Sequence, residues 1–443
     1  MATKGGGGMY TVIVGAGMTG LTAAYKLIKA NRRCLLIERE DRVGGLCRSF
    51  TLDGVVFDIG PHVFIYRKGV EAEEFILGLL DNEKLIKRRW RFGINNGKRT
   101  YALPMSITDL VLYPWRFKRQ MLDAFLKRNA PDKVQSESVA QDMINKFGSA
   151  YYEEVFEPML LKKTLISGHD LHCHWVARVD RDARNQRETS DDSTAPAPLL
   201  PRVIRMLYQT YYYPVKGFER LPQNLWQMYS QGGGETILDC GQLRFNKAHG
   251  RINAVNVKGV TYPVQDLVWT GSIDDLNVML GINAPRLNYA RLAFVFLTYE
   301  RRRYVRRPLL YVYYTNRELC FKRVYFPSNI YGRGASAAVE GVCVIINYEN
   351  DFDEQYMLKR TVADVEKAGL FKKRHLRQSR VLKVGPCMPV YGLNYEQEMA
   401  EALSGIHGYN NVYSVGRLGG FFFCMVPAAV NQGFKVAKEL LKK

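Results

Sequence analysis

This sequence predicts an α/β fold in which a mixed α+β domain is inserted into a domain built on a parallel sheet. Three observations carry that expectation. A charge-free, β-branched run over residues 10–15 leads directly into Gly15-Ala-Gly17-Met18-Thr19-Gly20 and the helical pattern of 21–28. That is the order of a central parallel strand, a tight turn and a helix. A second apolar run, 34–37, closes on Glu38. Near the far end, the apolar strand pattern of 411–417 precedes a helical pattern from Ala428, a further strand-to-helix unit like the first.

Each part of the first unit has a mechanical job. Gly15 permits the tight turn, Gly17 lets backbone approach a pyrophosphate, and Gly20 lets the helix pack closely on the strand. Met18 and Thr19 open a helix whose free N–H groups and positive dipole end suit phosphate. Glu38, eighteen residues beyond Gly20, can accept from both ribose hydroxyls. Strand, glycine fingerprint, helix, strand and acid in register predict a Rossmann-type dinucleotide site. The next stretch favours FAD over NAD. Arg39, Gly44, Gly45, Leu46 and Arg48 place a glycine turn and guanidinium groups just past the acid, which suits a second approach to the pyrophosphate.

Residues 54–64 follow, with Phe57-Asp58-Ile-Gly60-Pro61-His62-Val63 at their centre. This segment resembles the F-D-x-G-G/P-H stretch of the flavin amine oxidase and protoporphyrinogen oxidase superfamily, near its UDP-galactopyranose mutase-like branch. Segments 147–158, 213–221, 232–240, 268–272 and 411–417 resemble later motifs of the same superfamily. The resemblance implies a discontinuous FAD-binding domain (9–66, 215–282 and 385–443) and a substrate domain (67–214 and 283–384). It implies that Pro61, His62 and Val63 lie beside the flavin ring and that Cys240 stands near the adenine. Gly416, Arg417 and Met425 fall on the late flavin-contacting segment. His62 and Arg417 are the expected catalytic residues, since both can meet negative charge that develops on reduction. Mutase relatives carry an aspartate just after the methionine, where Val426 stands here, and this weighs against mutase chemistry.

Composition bears on the substrate. Lys and Arg number 63 against 43 Asp and Glu, a net charge of +20, which attracts polyanions. Basic runs laced with aromatics occur at 87–91, 116–119, 301–307 and 372–377. An anionic substrate is expected, with DNA, a nucleotide, or a modified base or amine carried on nucleic acid as candidates. A redox-neutral sugar-nucleotide mutase and a flavin-stabilised nucleic-acid-binding protein without chemistry are the alternatives. Residues 110–128 form a basic amphipathic stretch suited to a membrane surface. His169, His172, Cys173 and His174 crowd together, but adjacent ligands define no coordination geometry, so no metal is expected. Eight scattered cysteines fit reduced thiols. No run is long enough to span a bilayer, and a soluble, cytoplasmic protein is expected. Residues 1–8 read as a flexible tail and 184–201 as a mobile loop.

Overall fold

Tyr10–Val14 is buried along its whole length, so both faces of this strand must be covered and both edges paired. In the computed structural model it pairs in parallel with Cys34–Ile37 on one side and with Val260–Trp269 on the other. Glu235–Ile237 extends the sheet in parallel beyond Cys34–Ile37. Val412–Ser414 runs parallel to the end of Val260–Trp269, and the antiparallel strands Arg244–Ala248 and Arg251–Val257 complete a seven-stranded sheet. The structure describes residues 8–443 except 63, 90, 104–106, 121–135, 177–209, 302–308, 333–337 and 350–351. The 184–201 segment, most of the 301–307 run and Val63 therefore lie outside the described residues.

Two helices join the ends of the chain over this sheet. Met18–Lys29 packs against Val426–Leu440, and the contact is close because Gly433 has no side chain. A Cβ there would stand 2.7 Å from the Thr19 carbonyl oxygen. The closing helix begins at Val426, two residues before the expected start, with Pro427 in its first turn where a missing N–H costs nothing. The late strand ends at Ser414, short of Arg417, because Gly416 turns into the left-handed region (φ 86°) and starts the short helix Gly416–Gly419.

A second seven-stranded sheet has the order Leu376–Pro389, Tyr289–Glu300, Val339–Tyr348, Arg323–Tyr325, Tyr311–Tyr314, Phe92–Asn95, Thr100–Leu103. Its neighbours are antiparallel except Phe92–Asn95 and Tyr311–Tyr314. The 147–158 motif is not one continuous helix: Gly148, at φ 88°, ends Val139–Phe147, and a π-turn spans Tyr152–Phe156 before Glu157–Thr164. All eight cysteines are free thiols.

Candidate active site

The glycine fingerprint separates into residues the fold needs and one it does not. Gly15 sits at φ 103°, and a Cβ on it would lie 2.1 Å from the Thr270 hydroxyl oxygen. A Cβ on Gly20 would lie 2.0 Å from the Gly15 carbonyl oxygen. Gly17 is different. Its backbone is extended (φ −76°, ψ −179°), a conformation open to any residue, and nothing lies within 4 Å of its Cβ position. Space has been left there for something other than the chain. Met18–Lys29 opens at this point with no side-chain cap and no acidic residue in its first turn, so its leading N–H groups are offered to a ligand.

Gly44 and Gly45 adopt positive φ (114° and 55°) and bring a second turn against the first. The Gly44 N–H donates to the Ala16 carbonyl at 2.8 Å, and a Cβ on Gly45 would stand 3.4 Å from Gly17 Cα. Glu38 is buried, and its carboxylate accepts from the Ala16 N–H at 2.7 Å and the Glu40 N–H at 3.1 Å. Its carbonyl accepts from the Cys240 N–H at 3.0 Å, which brings Cys240 to the same end of the cleft. Arg48 donates to the Gly45 carbonyl at 2.9 Å and reaches Glu40 at 3.2 Å. Arg39, two-thirds exposed, pairs with Glu40 on the outside. A cleft of about 390 Å³ opens beside this turn, and its lining mixes Arg39, Arg42, Arg48 and Arg380 with Glu40, Asp41 and Asp239. The Met18 side chain belongs to the core, and the Thr19 hydroxyl donates to the Ala429 carbonyl at 3.1 Å. Thr19 also faces Gly416, whose Cβ position is 3.0 Å from its oxygen. Met425 is half exposed just ahead of the closing helix.

The other end of the site is organised by Asp58, a residue sequence reading left without a role. Its carboxylate is sealed from solvent and accepts from the Ser49 hydroxyl, the Tyr213 hydroxyl at 2.6 Å, the Tyr331 hydroxyl and the Phe218 N–H at 2.9 Å. Tyr325 bonds to the Asp58 backbone from the second sheet. From this anchor the chain turns at Gly60 (φ 81°) through Pro61 to His62. The His62 ring stacks on Phe218 with centroids 4.7 Å apart, and its Nε2 lies 2.9 Å from the Leu46 carbonyl oxygen. Burial lowers its pKa to about 4, against the pull of Asp58 and with a further push from Arg417 and Arg323. The imidazole is therefore neutral at pH 7.

Arg417 and His62 lie close enough to interact electrostatically, in a cluster with residues that the motifs did not flag. Arg417 donates to the Cys424 carbonyl and lies over the Phe423 ring, 5.8 Å from its centroid. The Lys163 ammonium sits over Trp175 at 4.3 Å and over Phe423 at 5.4 Å. Arg323 crosses the rings of Tyr311 and Tyr313, and its Nη2 lies 3.7 Å from the Gly60 Cβ position. Its Nε is buried without a hydrogen-bond partner among the described residues. Burial lowers the pKa of Lys163, and that of Lys322 beside it falls well below the ordinary value. Burial pushes the Tyr313 phenol up, but the charges of Arg323 and Lys163 outweigh it and leave the pKa lowered. Among the described residues no carboxylate pairs with Lys163 or Arg323. The available sequence signal was the Lys322-Arg323 pair inside an apolar run, Phe321 to Phe326.

His172, Cys173 and His174 place three potential metal ligand atoms within 4.8 Å of one another. The His172 Nδ1 already accepts from the His174 N–H at 3.1 Å, however, and the His174 Nδ1 lies 2.8 Å from the Tyr395 hydroxyl.

Comparison with known proteins agrees with this geometry. Residues 13–75 match the NAD(P)-binding Rossmann-like domain family. Across both sheets the chain superposes on reduced UDP-galactopyranose mutase with a TM-score of 0.78 at 16% identity, covering 98% of this chain and 94% of that one. The fold is thus shared with that enzyme. Putrescine oxidase bound to putrescine superposes with a TM-score of 0.61 at 15% identity, over 98% of this chain and 99% of that one. In sequence, the chain is 29% identical over 164 residues to protoporphyrinogen oxidase 2, chloroplastic/mitochondrial, of Arabidopsis thaliana. That match covers 34% of this chain and 31% of the plant protein, so less than a third of the relative's length is spanned. All-trans-retinol 13,14-reductase of Danio rerio is 43% identical over 51 residues, 12% of this chain and 8% of that protein.

Two predictions follow from the geometry. Gly17→Val leaves apoprotein stability within about 1 kcal/mol of the parent, because its backbone and surroundings admit a side chain. Gly20→Val costs about 3 kcal/mol or more, because the new atoms meet backbone that cannot give way. Denaturant unfolding compares them, and equal losses at the two positions would refute the distinction. The second concerns pH. His62 binds fewer protons folded than unfolded below its ordinary pKa of 6.5. Its contribution to stability is therefore undiminished above pH 6.5 and is lost as pH falls toward 4. His62→Gln should remove about 1–3 kcal/mol of that acid sensitivity in the apoprotein, and an unchanged stability–pH curve would exclude it.

Proposed function

We propose that this chain is an FAD-dependent oxidoreductase of amine-oxidase and protoporphyrinogen-oxidase type acting on an anionic substrate. The observation that carries the reading is the coexistence of an open glycine cradle, at Gly17, with a cationic cluster, at Lys163 and Arg323, that has no counter-ion among the described residues. The cradle fits a dinucleotide: two glycine turns face each other, the leading helical N–H groups suit a pyrophosphate, and buried Glu38 suits a ribose. When bound, FAD would supply a two-electron acceptor at its ring.

The chain's own residues would do the rest. Neutral His62, held by Leu46, is placed to hydrogen-bond at the ring or the substrate. Arg417 offers fixed positive charge where negative charge grows on reduction. Lys163 and Arg323 would hold an oxyanion of the substrate, and Trp175 and Phe423 exclude water around them, which strengthens each charge. The amine-oxidase likeness and the chamber differ in one respect. A cationic chamber repels a protonated amine, so an amine substrate would need to be neutral or to carry an oxyanion as well.

A sugar-nucleotide mutase is the second reading, favoured by the likeness to UDP-galactopyranose mutase and by cations suited to a diphosphate. Val426 argues against it. Oxidised holoprotein mixed anaerobically with candidate substrates separates the two. Loss of flavin absorbance supports the oxidoreductase, and turnover only after dithionite supports the mutase.

Purified protein is expected to release FAD on heating, and Gly17→Val should fold without retaining it. Full flavin occupancy in that variant would remove the cradle's assigned role. Arg323→Met and Lys163→Met should keep the flavin spectrum and weaken an anionic substrate by about 10–100-fold each. A neutral analogue should be much less affected, and equal losses for both would show that no anion is held there. Nucleic acid as the carrier predicts binding that weakens with salt by a log–log slope of about −0.9 per phosphate contacted on double-stranded DNA. No binding at low salt would return the substrate to a small anion.

A further inference from the structure

A different face of the molecule carries an apolar display that the active site does not use. The most exposed large apolar side chain among the described residues is Trp115, at 75%, and Val111 and Leu112 stand beside it at 67% and 50%. Three such residues within five positions are not scattered surface apolars. Nor are they core residues left outside, because the same stretch has its own anchors. Tyr113 and Phe117 point the other way and are buried. Tyr113 meets Tyr101 edge-on at 5.0 Å and Phe117 meets Tyr151 edge-on at 5.4 Å. The bend is thus fixed from beneath by aromatic packing, and it holds Val111, Leu112 and Trp115 outward.

Charge surrounds the display on one side only. Arg116, Lys118 and Arg119 follow within four residues, and the segment 111–119 contains no acid. Asp109, just before it, is fully buried. Among the described residues Glu154 is the acidic group that meets these cations, in an exposed pair with Arg116, while Lys118 donates to the Val111 carbonyl at 2.9 Å. No helix among the described residues is long and apolar enough to cross a membrane, so any contact with a bilayer through this face would be peripheral.

We propose that the 111–119 bend docks this protein on the surface of an anionic phospholipid bilayer. Trp115 with Val111 and Leu112 would enter the headgroup boundary, where an indole is favoured. Arg116, Lys118 and Arg119 would meet anionic headgroups. Complementary charge selects this occupant, because the bend combines apolar tips with three cations, only Arg116 of which meets a carboxylate among the described residues, and the whole chain carries +20. The inference is independent of the reading of the flavin site.

Vesicle sedimentation of the full chain tests it, with phosphatidylcholine alone and with roughly one-third phosphatidylserine. Binding is expected to the mixed vesicles and to weaken with salt. A basic protein could adhere by charge alone, so the decisive variant is charge-neutral. Trp115→Ser should lower partitioning about tenfold or more, while flavin content and melting temperature stay at parent values. Lys118→Gln and Arg119→Gln should each lower it about fivefold. Parent protein that ignores the mixed vesicles, or Trp115→Ser that binds them equally, overturns the proposal. So does a parent dimer, seen by light scattering, that Trp115→Ser dissolves without any vesicle binding, since the display would then be covered by a second copy.

Discussion

Asp58 ends the strand Val55–Asp58 with its carboxylate closed off from water, and a buried carboxylate costs several kcal/mol unless nearby donors replace its hydration. No cation pairs with it among the described residues. Its donors are two tyrosine hydroxyls, a serine hydroxyl and a backbone N–H, drawn from positions 49, 213, 218 and 331. Each would be difficult to lose, because removing one exposes a buried charge with too few partners. Tyr213 and Tyr331 come from opposite sides of the long middle segment, and Tyr325 belongs to the second sheet. Asp58 therefore ties the Ser49–Leu52 and Val55–Asp58 hairpin to Thr210–Pro214, to the Pro327–Tyr331 helix and, through its backbone, to the second sheet, and so fixes where Gly60, Pro61 and His62 emerge.

The chamber beyond His62 has the opposite problem. Lys163, Lys322, Arg323 and Arg417 converge there, and burial alone would tend to discharge the two lysines. The structure supplies partial relief. Lys322 donates to Asn347 and Arg417 to a carbonyl, while Lys163 lies over two ring faces. Tyr313 responds to its neighbours, with Arg323 and Lys163 favouring the phenolate against the cost of burial. On the reading proposed above, an oxyanion entering this cluster would relieve the repulsion among its cations.

The parts legible in the sequence were those set by local rules. Strand, glycine turn and helix follow from residues 10–28 alone, because periodicity and glycine placement are short-range constraints. Pro427 in the first turn of the last helix is of the same kind. What was illegible depended on distance. Asp58 stood in plain view within a quoted motif, yet its partners lie up to 273 positions away. Lys163 and Arg323 belong to segments with no shared pattern, and only the packing of Glu157–Thr164 beneath the second sheet brings them together. The turn that stops the late strand has a long-range side as well: a Cβ at Gly416 would stand 3.0 Å from the Thr19 oxygen.

The cradle and the chamber are mechanically one object, and the link is short. Gly44 donates to Ala16 in the first glycine turn, and two residues later the Leu46 carbonyl holds the His62 ring. Cys47, next in line, is buried with its thiol pushed up to about 12 and so remains protonated, an inert filler between the two. A ligand that orders the Gly44–Gly45 turn against Gly17 would thereby also order the imidazole at the far end. Conversely, any displacement of His62 would pull on the carbonyl that follows the second glycine turn. On the proposed reading, cofactor affinity and the position of His62 would be coupled through three residues of backbone.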